Sequence, residues 1–263
     1  MKNPSIIFSI AGSDPSGGAG IQADIKTISA LGGYAAAAIT AITSQNTLGV
    51  QGVYPLPQEV IASQIRSVME DLHPAALKIG MVHNEAIVAA IADAIVLYRP
   101  TYVVYDPVMI STSGRRLMTE ATIQAIESQL FPRCTLITPN LHEASLLLGH
   151  PLTTPEEMAQ GGELLAQRYG CWVLVKGGHL VGNEMCDLLC NATEVHRYTS
   201  AKCPSHNLHG TGCTLSSAIA TLLAQGKPIH QAVAQAKAYI TQAIEHGASL
   251  HIGQGNGPLW HFT

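Results

Sequence analysis

The sequence predicts an α/β protein: one central, mainly parallel sheet with helices on both faces and no separate lid domain. Short runs that are apolar on both faces alternate with amphipathic stretches of helical period along the whole chain. Strands that are buried on both faces are typical of parallel sheets. No linker, low-complexity block or repeat breaks the series. We therefore expect residues 1–263 to form a single domain.

The predicted strands and helices alternate in order along the chain. The apolar runs predict strands at Ser5–Ala11, Ala35–Thr43, Ala76–Gly80, Tyr102–Asp106, Thr135–Thr138 and Trp172–Lys176. The amphipathic stretches predict helices at Ala19–Leu31, Gln58–Leu72, Glu85–Tyr98, Glu120–Leu130, His142–Leu148, Pro155–Tyr169, Thr211–Gln225 and Ile229–Glu245. The more polar stretch Glu184–Ser200 predicts one or two antiparallel strands at an edge of the sheet.

The composition excludes several classes of protein. A chain of 263 residues with 47% hydrophobic content can bury a large core. The formal net charge is −4 and lysine and arginine form no cluster, which disfavours a nucleic acid or an anionic membrane as partner. No apolar segment reaches the length of a membrane span. The six cysteines show no CxxC pair and no regular spacing, which favours reduced thiols and a cytoplasmic location.

The most informative run is His209-Gly210-Thr211-Gly212-Cys213, at the start of a predicted helix. A helix start made of Gly-Thr-Gly leaves several backbone N–H groups unpaired and free of side-chain obstruction. These donors and the positive end of the helix dipole make a site for an anion. The same field is expected to lower the pKa of the Cys213 thiol. An anion site beside an ionisable group suits phosphoryl transfer.

Two further signals follow the ends of predicted strands, where ligands bind in open parallel sheets. The turn Gly12–Gly20 is dense in glycine, but it lacks the G-x-G-x-x-G spacing of a nucleotide fingerprint. A tight strand-to-helix connection is the alternative interpretation. Asp106 directly follows a strand. A carboxylate at this position can hold a metal or cap the next turn, and the sequence favours the two interpretations equally.

Three polar residues at later strand ends also have two interpretations. Asn140 and Glu143 have the spacing of a capping box, and that interpretation outweighs Mg²⁺ binding when the pair is taken alone. Lys176 ends an apolar strand before Gly177-Gly178, so it is either a snorkelling surface charge or a contact to phosphate. Each signal is weak by itself, whereas their occurrence at successive strand ends favours one shared site.

Several of these motifs together resemble the hydroxymethylpyrimidine and phosphomethylpyrimidine kinases of thiamine biosynthesis. The resemblance rests on Ala11-Gly12-Ser13-Asp14, Gly17–Asp24, Gln45-Asn46-Thr47, Lys78-Ile79-Gly80-Met81, Asp106–Met109, Thr138-Pro139-Asn140, Lys176–His179, the Cys213 segment and Gly255–Pro258. It spans almost the whole chain and implies a ribokinase-like fold, often dimeric. The segment between Asn183 and Asn207 departs most from the pattern of these kinases.

The resemblance implies an activity and a role for particular residues. The activity is ATP-dependent phosphorylation of 4-amino-5-hydroxymethyl-2-methylpyrimidine, and of its monophosphate to the diphosphate, by a homodimer with Mg²⁺. The positions that match contacts to the pyrimidine are Gly12, Ala19, Gln45, Met81 and Val108. Those that match the Mg²⁺ region, partly through water, are Asp106, Asn140 and Glu143. Those that match contacts to ATP and the transferring group are Asn140, Lys176, Gly210, Thr211, Gly212 and Cys213.

Gln45 and Cys213 have a physical rationale in this framework. A carboxamide offers a donor and an acceptor, which complements a ring nitrogen beside an exocyclic amine. Sugar kinases of the superfamily typically have Asp at the position of Cys213, where it can act as a general base toward an alcohol. The second acceptor is a phosphate monoester that is already largely dianionic, with a second pKa of about 6. We therefore hypothesise that a thiol replaces the carboxylate because a fixed negative charge would repel this acceptor.

Several alternatives stay open from the sequence. The nearest is a pyridoxal kinase of the same family, although Gln45 and Met81 favour the pyrimidine. A non-catalytic vitamin-binding protein and a cysteine hydrolase that pairs Cys213 with His209 are less favoured. The absence of G-x-x-x-x-G-K-[ST] excludes a P-loop kinase. Thr112–Arg116 and Val181–Glu184 are candidate loops that close over the site.

Overall fold

The computed structural model describes residues 3–109, 118–178 and 184–263. Within this part of the chain, one nine-stranded sheet forms the centre of the protein. Its strands are β1 (Ile6–Ser13), β2 (Tyr34–Asn46), β3 (Gly49–Pro55), β4 (Ala76–Ile79), β5 (Tyr102–Tyr105), β6 (Leu136–Ile137), β7 (Trp172–Lys176), β8 (Glu184–Cys190) and β9 (Val195–Ala201). Their spatial order is β3-β2-β1-β4-β5-β6-β7-β8-β9.

The middle of the sheet is parallel and both of its edges are antiparallel. β2, β1, β4, β5, β6 and β7 pair in parallel, so that their carboxyl ends lie along one edge of the sheet. The β8–β9 hairpin is antiparallel to β7, which confirms the prediction for Glu184–Ser200. β3 pairs antiparallel with β2 and was not predicted. The residues of β3 are half-buried or exposed, and the strand lacks the continuous apolar run that is typical of the central strands.

The described helices cover both faces of the sheet, as predicted. They are α1 (Gly20–Ala30), α2 (Gln58–Leu72), α3 (Glu85–Tyr98), α4 (Glu120–Ala125), α5 (Leu141–Leu148), α6 (Pro155–Tyr169), α7 (Thr211–Ala224) and α8 (Ile229–Gly247). Adjacent residues of one strand belong to opposite cores. Ile7 packs in the cluster that contains residues of α1, α7 and α8, whereas Phe8 packs in the cluster of α2, α3, α5 and α6. This alternation is why the central strands are apolar on both faces.

One predicted helix is interrupted. Instead of a single helix over Glu120–Leu130, α4 ends at Ala125 and continues as a π-helical segment (Ile126–Leu130) and a 3₁₀ turn (Phe131–Arg133). The Ser128 hydroxyl donates to the carbonyls of Gln124 and Ala125 and so competes with regular helical bonding. Pro132 has no N–H to donate. In an α-helix its ring would also clash with the carbonyl group of the residue four positions earlier.

Two other features bear on the class of protein. Within the described ranges, no helix combines the length and the apolar character that a membrane crossing requires. All six cysteines are free thiols. The first candidate closing loop, Thr112–Arg116, lies outside the described residues. In the second candidate loop, Val181–Glu184, residues 181–183 also lie outside them, and Glu184 is the first residue of β8.

Candidate active site

A cavity of about 660 Å³ lies at the carboxyl ends of the parallel strands. Its wall is built from the turn after β1, the ends of β2, β4, β5, β7 and β9, and the starts of α5 and α7. Every site residue predicted from the sequence lines it: Gly12, Ala19, Gln45, Met81, Asp106, Val108, Asn140, Glu143, Lys176, Gly210, Thr211, Gly212 and Cys213. The residues predicted at successive strand ends therefore line one cavity.

The start of α7 presents backbone donors to this cavity. Gly210 has φ of 86°, and a Cβ at this position would overlap the carbonyl oxygen of Gly18, so only glycine fits. The N–H of Thr211 donates to the carbonyl of Leu208 at 3.3 Å, which uses one of the amides expected to be unpaired. No acceptor within the described ranges bonds the N–H groups of Gly212 and Cys213. These half-buried residues leave two donors for an anion at the positive end of the helix.

Lys176 and Asp106 form an ion pair opposite the helix start. The Lys176 ammonium donates to Oδ1 of Asp106 at 2.7 Å, and the Thr138 hydroxyl donates to the same oxygen at 3.0 Å. Burial would raise the pKa of Asp106, but the nearby charges of Lys176 and Lys78 lower it, so the carboxylate is ionised. Burial would lower the pKa of Lys176, but Asp106 and Glu143 raise it. Lys176 is thus a paired charge inside the cavity rather than a snorkelling surface lysine.

Gly212 brings the helix start close to this ion pair. A Cβ added to Gly212 would lie 3.1 Å from Oδ2 of Asp106 and 3.4 Å from Nζ of Lys176. The space beside the two free amides is therefore also the space beside the carboxylate and the ammonium. An anion placed there would meet donors from both the helix and Lys176.

Asn140 and Glu143 form the capping box of α5. The Asn140 side-chain oxygen accepts from the N–H of Glu143 at 2.9 Å, and Glu143 Oε2 accepts from the N–H of Asn140 at 2.8 Å. The structural interpretation is therefore confirmed, and both residues still line the cavity. Burial raises the pKa of Glu143 to about 7, and the opposing effect of Lys176 only partly offsets it.

The pKa of the Cys213 thiol differs from the sequence-based expectation. The helix start was expected to lower the pKa of the thiol, but burial raises it to about 11, more than the positive charge of Lys78 lowers it. The backbone N–H of Gly20 lowers this pKa only slightly. The thiol is consequently neutral near pH 7 and faces the glycine-dense turn that follows β1. A neutral thiol is a weak nucleophile, because the thiolate is the reactive form.

A buried network beneath Cys213 was not predicted from the sequence. Lys78 and Asp24 are fully buried, and the ammonium lies 2.9 Å from both carboxylate oxygens. The hydroxyls of Ser9 and Ser217 donate to the same carboxylate at 2.6 and 2.7 Å. Burial would lower the pKa of Lys78, but the charge and hydrogen bonds of Asp24, together with Cys213 and Asp106, outweigh it and the pKa is raised. A lysine inside an apolar strand was the available signal, because a charge there requires a buried partner.

A second set of hydrogen bonds that was not predicted from the sequence joins the glycine-dense turn to the loop before α7. Buried Asp14 accepts from the N–H of Ala19 at 2.8 Å, and its Oδ2 lies 2.8 Å from Nε2 of His209. The hydrogen bonds from His209, Ser16 and Ala19 outweigh burial and lower the pKa of Asp14. The carboxamide of Gln45 lies 3.1 Å from the same His209 nitrogen. Nε2 of His209 therefore contacts both Asp14 and Gln45. In the described part of the chain, no hydrogen bond joins His209 to Cys213 as a cysteine hydrolase would require.

Met81 explains the need for glycine at position 12. The Cε of Met81 lies 2.6 Å from where a Cβ of residue 12 would be, so any larger residue would displace the methionine. The Thr40 hydroxyl donates to the Met81 carbonyl at 2.7 Å and fixes this segment. Met81 and Val108 are half-buried and form an apolar patch of the cavity wall.

The opposite end of the cavity lies between the end of β9 and α8. Leu215, Ile240 and Ile244 give it an apolar wall. Its floor includes Asp187, whose carboxylate accepts from the N–H of Gly177 at 2.9 Å and from the Lys237 ammonium at 2.6 Å. This buried link was also missed, because it joins residues far apart in the sequence. It fixes the backbone directly after Lys176.

The geometry joins an anion site to a pocket with mixed polar and apolar walls, and comparison with known proteins decides the family. The model of the family described as phosphomethylpyrimidine kinase matches residues 14–260. The chain belongs to the phosphomethylpyrimidine kinase family. A hydroxymethylpyrimidine/phosphomethylpyrimidine kinase of Rhizobium meliloti is 47% identical over 98% of this chain and 97% of its own length.

Solved structures of related kinases have the same fold. The phosphomethylpyrimidine kinase from Clostridium difficile superposes with a TM-score of 0.82 and 43% identity, over 91% of this chain and 99% of that chain. An ADP complex of Bacillus subtilis pyridoxal kinase superposes with a TM-score of 0.91 and 33% identity, over 98% of each chain. The family membership and these neighbours confirm a ribokinase-like fold and a phosphotransferase, and they exclude the cysteine hydrolase.

Proposed function

We propose that this protein transfers the γ-phosphoryl group of ATP to 4-amino-5-hydroxymethyl-2-methylpyrimidine and then to the resulting monophosphate. One observation carries the proposal: the start of α7 contacts both ends of the cavity. Gly212 adjoins the Asp106–Lys176 pair, and a Cβ on Gly210, two residues earlier, would overlap the carbonyl oxygen of Gly18 in the turn after β1. A donor group on one end and an acceptor on the other would therefore meet at this helix start.

Lys176 and the free amides hold the group that is transferred. The charge on a transferring phosphoryl group spreads over its oxygens, so catalysis depends on positioning and on fixed positive partners. Lys176 supplies a full charge, while the N–H groups of Gly212 and Cys213 supply aligned dipoles. Because Asp106 and Thr138 fix Lys176, little reorganisation is needed when the phosphates arrive.

The oxygen atoms near Lys176 suit Mg²⁺. Asp106 is ionised, Glu143 is a second buried carboxyl, and Asn140 adds an amide oxygen. Mg²⁺ prefers oxygen ligands and keeps several waters, so these residues would hold it partly through water. When bound, the ion neutralises charge on the phosphate oxygens. Asp106 Oδ1 accepts from Lys176 and Thr138, which leaves Oδ2 for this role.

Residues on the β1, β2 and β4 side of the cavity hold the pyrimidine. Gln45, oriented by His209, reads the ring nitrogen and amine, while Met81 and Val108 contact the ring faces. Gly12, which has no side chain, and Ala19, whose side chain is small, line the cavity and let the ring approach the backbone. The neutral Cys213 thiol adds no charge next to the acceptor, which suits an alcohol and a phosphate dianion alike.

The remaining cavity suits the nucleoside of ATP. Leu215, Ile240 and Ile244 form an apolar wall for a base, and Thr211, which also lines the cavity, contacts ATP. We further propose that residues 1–263 form one kinase domain and act as a homodimer in the cytoplasm. The free cysteines and the match of the family model from residue 14 to residue 260 support a single reduced domain.

A pyridoxal kinase is the second candidate, because the pyridoxal kinase neighbour superposes along nearly the whole chain. The deciding experiment follows ADP formation with the pyrimidine alcohol, its monophosphate and pyridoxal. We expect both pyrimidines to be phosphorylated with a kcat/KM at least about tenfold above that of pyridoxal. One well-placed hydrogen bond to the preferred acceptor is sufficient for a difference of this size. Preference for pyridoxal would establish the second candidate. No ATP consumption with any acceptor would indicate a non-catalytic vitamin-binding protein.

The variant Gln45→Leu tests how the acceptor is chosen. It removes the carboxamide but keeps a side chain of similar size, so KM for the pyrimidine alcohol should rise about tenfold or more. KM for ATP, which binds at the other end of the cavity, should stay within twofold of the wild-type value. Unchanged acceptor KM values would remove Gln45 from the pyrimidine site without affecting the kinase proposal.

A further inference from the structure

Three potential metal ligands cluster far from the cavity, where β9 and α8 begin. Glu194, His196 and His230 each offer a ligand atom, and these atoms lie within 4.8 Å of one another. Oε2 of Glu194 lies 2.9 Å from Nε2 of His196. The two imidazole rings are adjacent, with their centroids 4.0 Å apart. The described residues contain no other group of at least three such ligands at this spacing.

The cluster lies on the outermost strand of the sheet, away from the end of β9 that lines the cavity. His196 pairs with Leu189 of β8, which pairs with Leu174 in the middle of β7, whereas Lys176 is level with Tyr198. Trp172, the first residue of β7, packs edge-on against His230 with ring centroids 5.2 Å apart. Ala201, at the other end of β9, lines the cavity. Five residues of strand place His196 about 16 Å from that end.

The donor set selects the class of ion. Two imidazoles and one carboxylate are typical ligands of Zn²⁺ and of neighbouring late transition metals, whereas Mg²⁺ prefers oxygen ligands only. Glu194 and His196 are exposed at 45% and 38% of their side-chain surface, so an ion can reach them from solvent. Nδ1 of His230 is buried and has no hydrogen-bond partner in the described part of the chain. Such unpaired buried atoms are rare in native proteins and require an explanation.

We propose that Glu194, His196 and His230 form a Zn²⁺-class metal site that is separate from the kinase site. In tetrahedral coordination with bonds of about 2.0–2.1 Å, donor atoms lie roughly 3.3 Å apart. The donor atoms of Glu194 and His196 are 2.9 Å apart and need to separate only slightly, and the exposed glutamate can turn toward His230. The ion would join the β8–β9 hairpin to the first turn of α8, with its remaining position open to water. Its role is to fix these elements together, not to take part in the transfer.

The test uses untagged protein that has been stripped of metal with a chelator. Isothermal titration with ZnCl₂ should show one high-affinity equivalent, and zinc should raise the unfolding temperature. His196→Gln and His230→Gln should each weaken zinc binding at least about tenfold, as loss of a ligand does. His246→Gln changes an exposed histidine in the last turn of the same helix and should leave binding unchanged. Should either histidine variant fail to fold, Glu194→Gln provides an exposed substitution with the same expectation.

Substitution with Co²⁺ identifies the ligands. Tetrahedral coordination by nitrogen and oxygen should give visible absorption without the intense sulfur-to-metal band that a thiolate ligand produces. Such a sulfur band, equal binding by wild type and His230→Gln, or no stoichiometric zinc binding would each overturn the proposal. Kinase activity in saturating Mg²⁺ should not change between the wild type and the His196 variant, since the cluster is remote from the cavity.

Discussion

Lys78 and Asp24 form an ion pair in which neither side chain is exposed, with Nζ 2.9 Å from each carboxylate oxygen. The pair joins β4 to α1. The hydroxyls of Ser9 in β1 and Ser217 in α7 donate to the same carboxylate. The charge of Lys78 also acts on Cys213. This network therefore connects the sheet to the helix whose first turn forms the anion site.

Lys78→Met should destabilise the protein strongly. The substitution leaves Asp24 buried without its counter-charge, which typically costs about 3–5 kcal/mol of unfolding free energy. The double variant Lys78→Met/Asp24→Asn should recover part of this loss, because the uncompensated charge is gone. Urea unfolding of the wild type, both single variants and the double variant measures the coupling. A single-variant cost below about 1 kcal/mol would show that the ion pair contributes little to stability.

Glu143 should make the stability of metal-free protein depend on pH. Its folded-state pKa of about 7 exceeds the unfolded value, so the folded state binds the proton more tightly. The resulting stabilisation is complete below the unfolded pKa of about 4.3 and is lost as the pH rises through 7. The unfolding free energy of the wild type, relative to Glu143→Gln, should fall by about 3 kcal/mol over this range. A difference that stays constant from pH 4.5 to pH 8 would contradict the raised pKa.

Gly212→Ala should reduce transfer without unfolding the protein. The added methyl group would lie 3.1 Å from Asp106 Oδ2 and 3.4 Å from Lys176 Nζ, inside the space assigned to the phosphoryl group. Displacing those donors should lower kcat/KM by about 100-fold, comparable to the loss of one transition-state donor. Alanine favours helix more than glycine does, so the unfolding temperature should not fall. Steady-state assays and thermal unfolding of the same preparation separate the two effects.

Cys213→Asp should impair the second transfer more than the first. A fixed carboxylate beside a phosphate dianion costs several kcal/mol, so turnover of the monophosphate should fall by about 100-fold or more. Turnover of the pyrimidine alcohol should fall less, because a carboxylate can accept the proton of an alcohol. Cys213→Ser, which stays neutral, should retain both transfers within about tenfold. If Cys213→Asp keeps the second transfer at full rate, the electrostatic reason for the thiol is wrong.

Local sequence patterns were sufficient for most of the fold. The apolar runs predicted the parallel strands because each of those strands is covered by helices on both faces. The predicted start of α7 at Thr211 agrees with the structure, because the glycine before it is required by its positive φ. β3 was missed since its half-exposed residues lack a periodic pattern. The π-helical segment was missed since competition from Ser128 changes the backbone without changing hydrophobic period.

The candidate site was predicted as a set of positions but not as a set of interactions. Asp106, Lys176 and Gly212 were found because each follows a strand or starts a helix. The pairs Lys78–Asp24 and Asp14–His209 were not found, because only the fold brings such distant residues together. The pKa of Cys213 was predicted in the wrong direction for a similar reason. The helix field can be read from the sequence, whereas the burial that outweighs it depends on packing.

The central claim is that Lys176 and the first turn of α7 hold the phosphoryl group during its transfer. Single-turnover transfer from γ-labelled ATP to the pyrimidine alcohol, compared between wild type and Lys176→Met, tests it most directly. We expect the transfer rate to fall by about 1000-fold, with the KM for the pyrimidine within threefold of wild type, because a transition-state contact is lost. Transfer by Lys176→Met at the wild-type rate would contradict this assignment of the site.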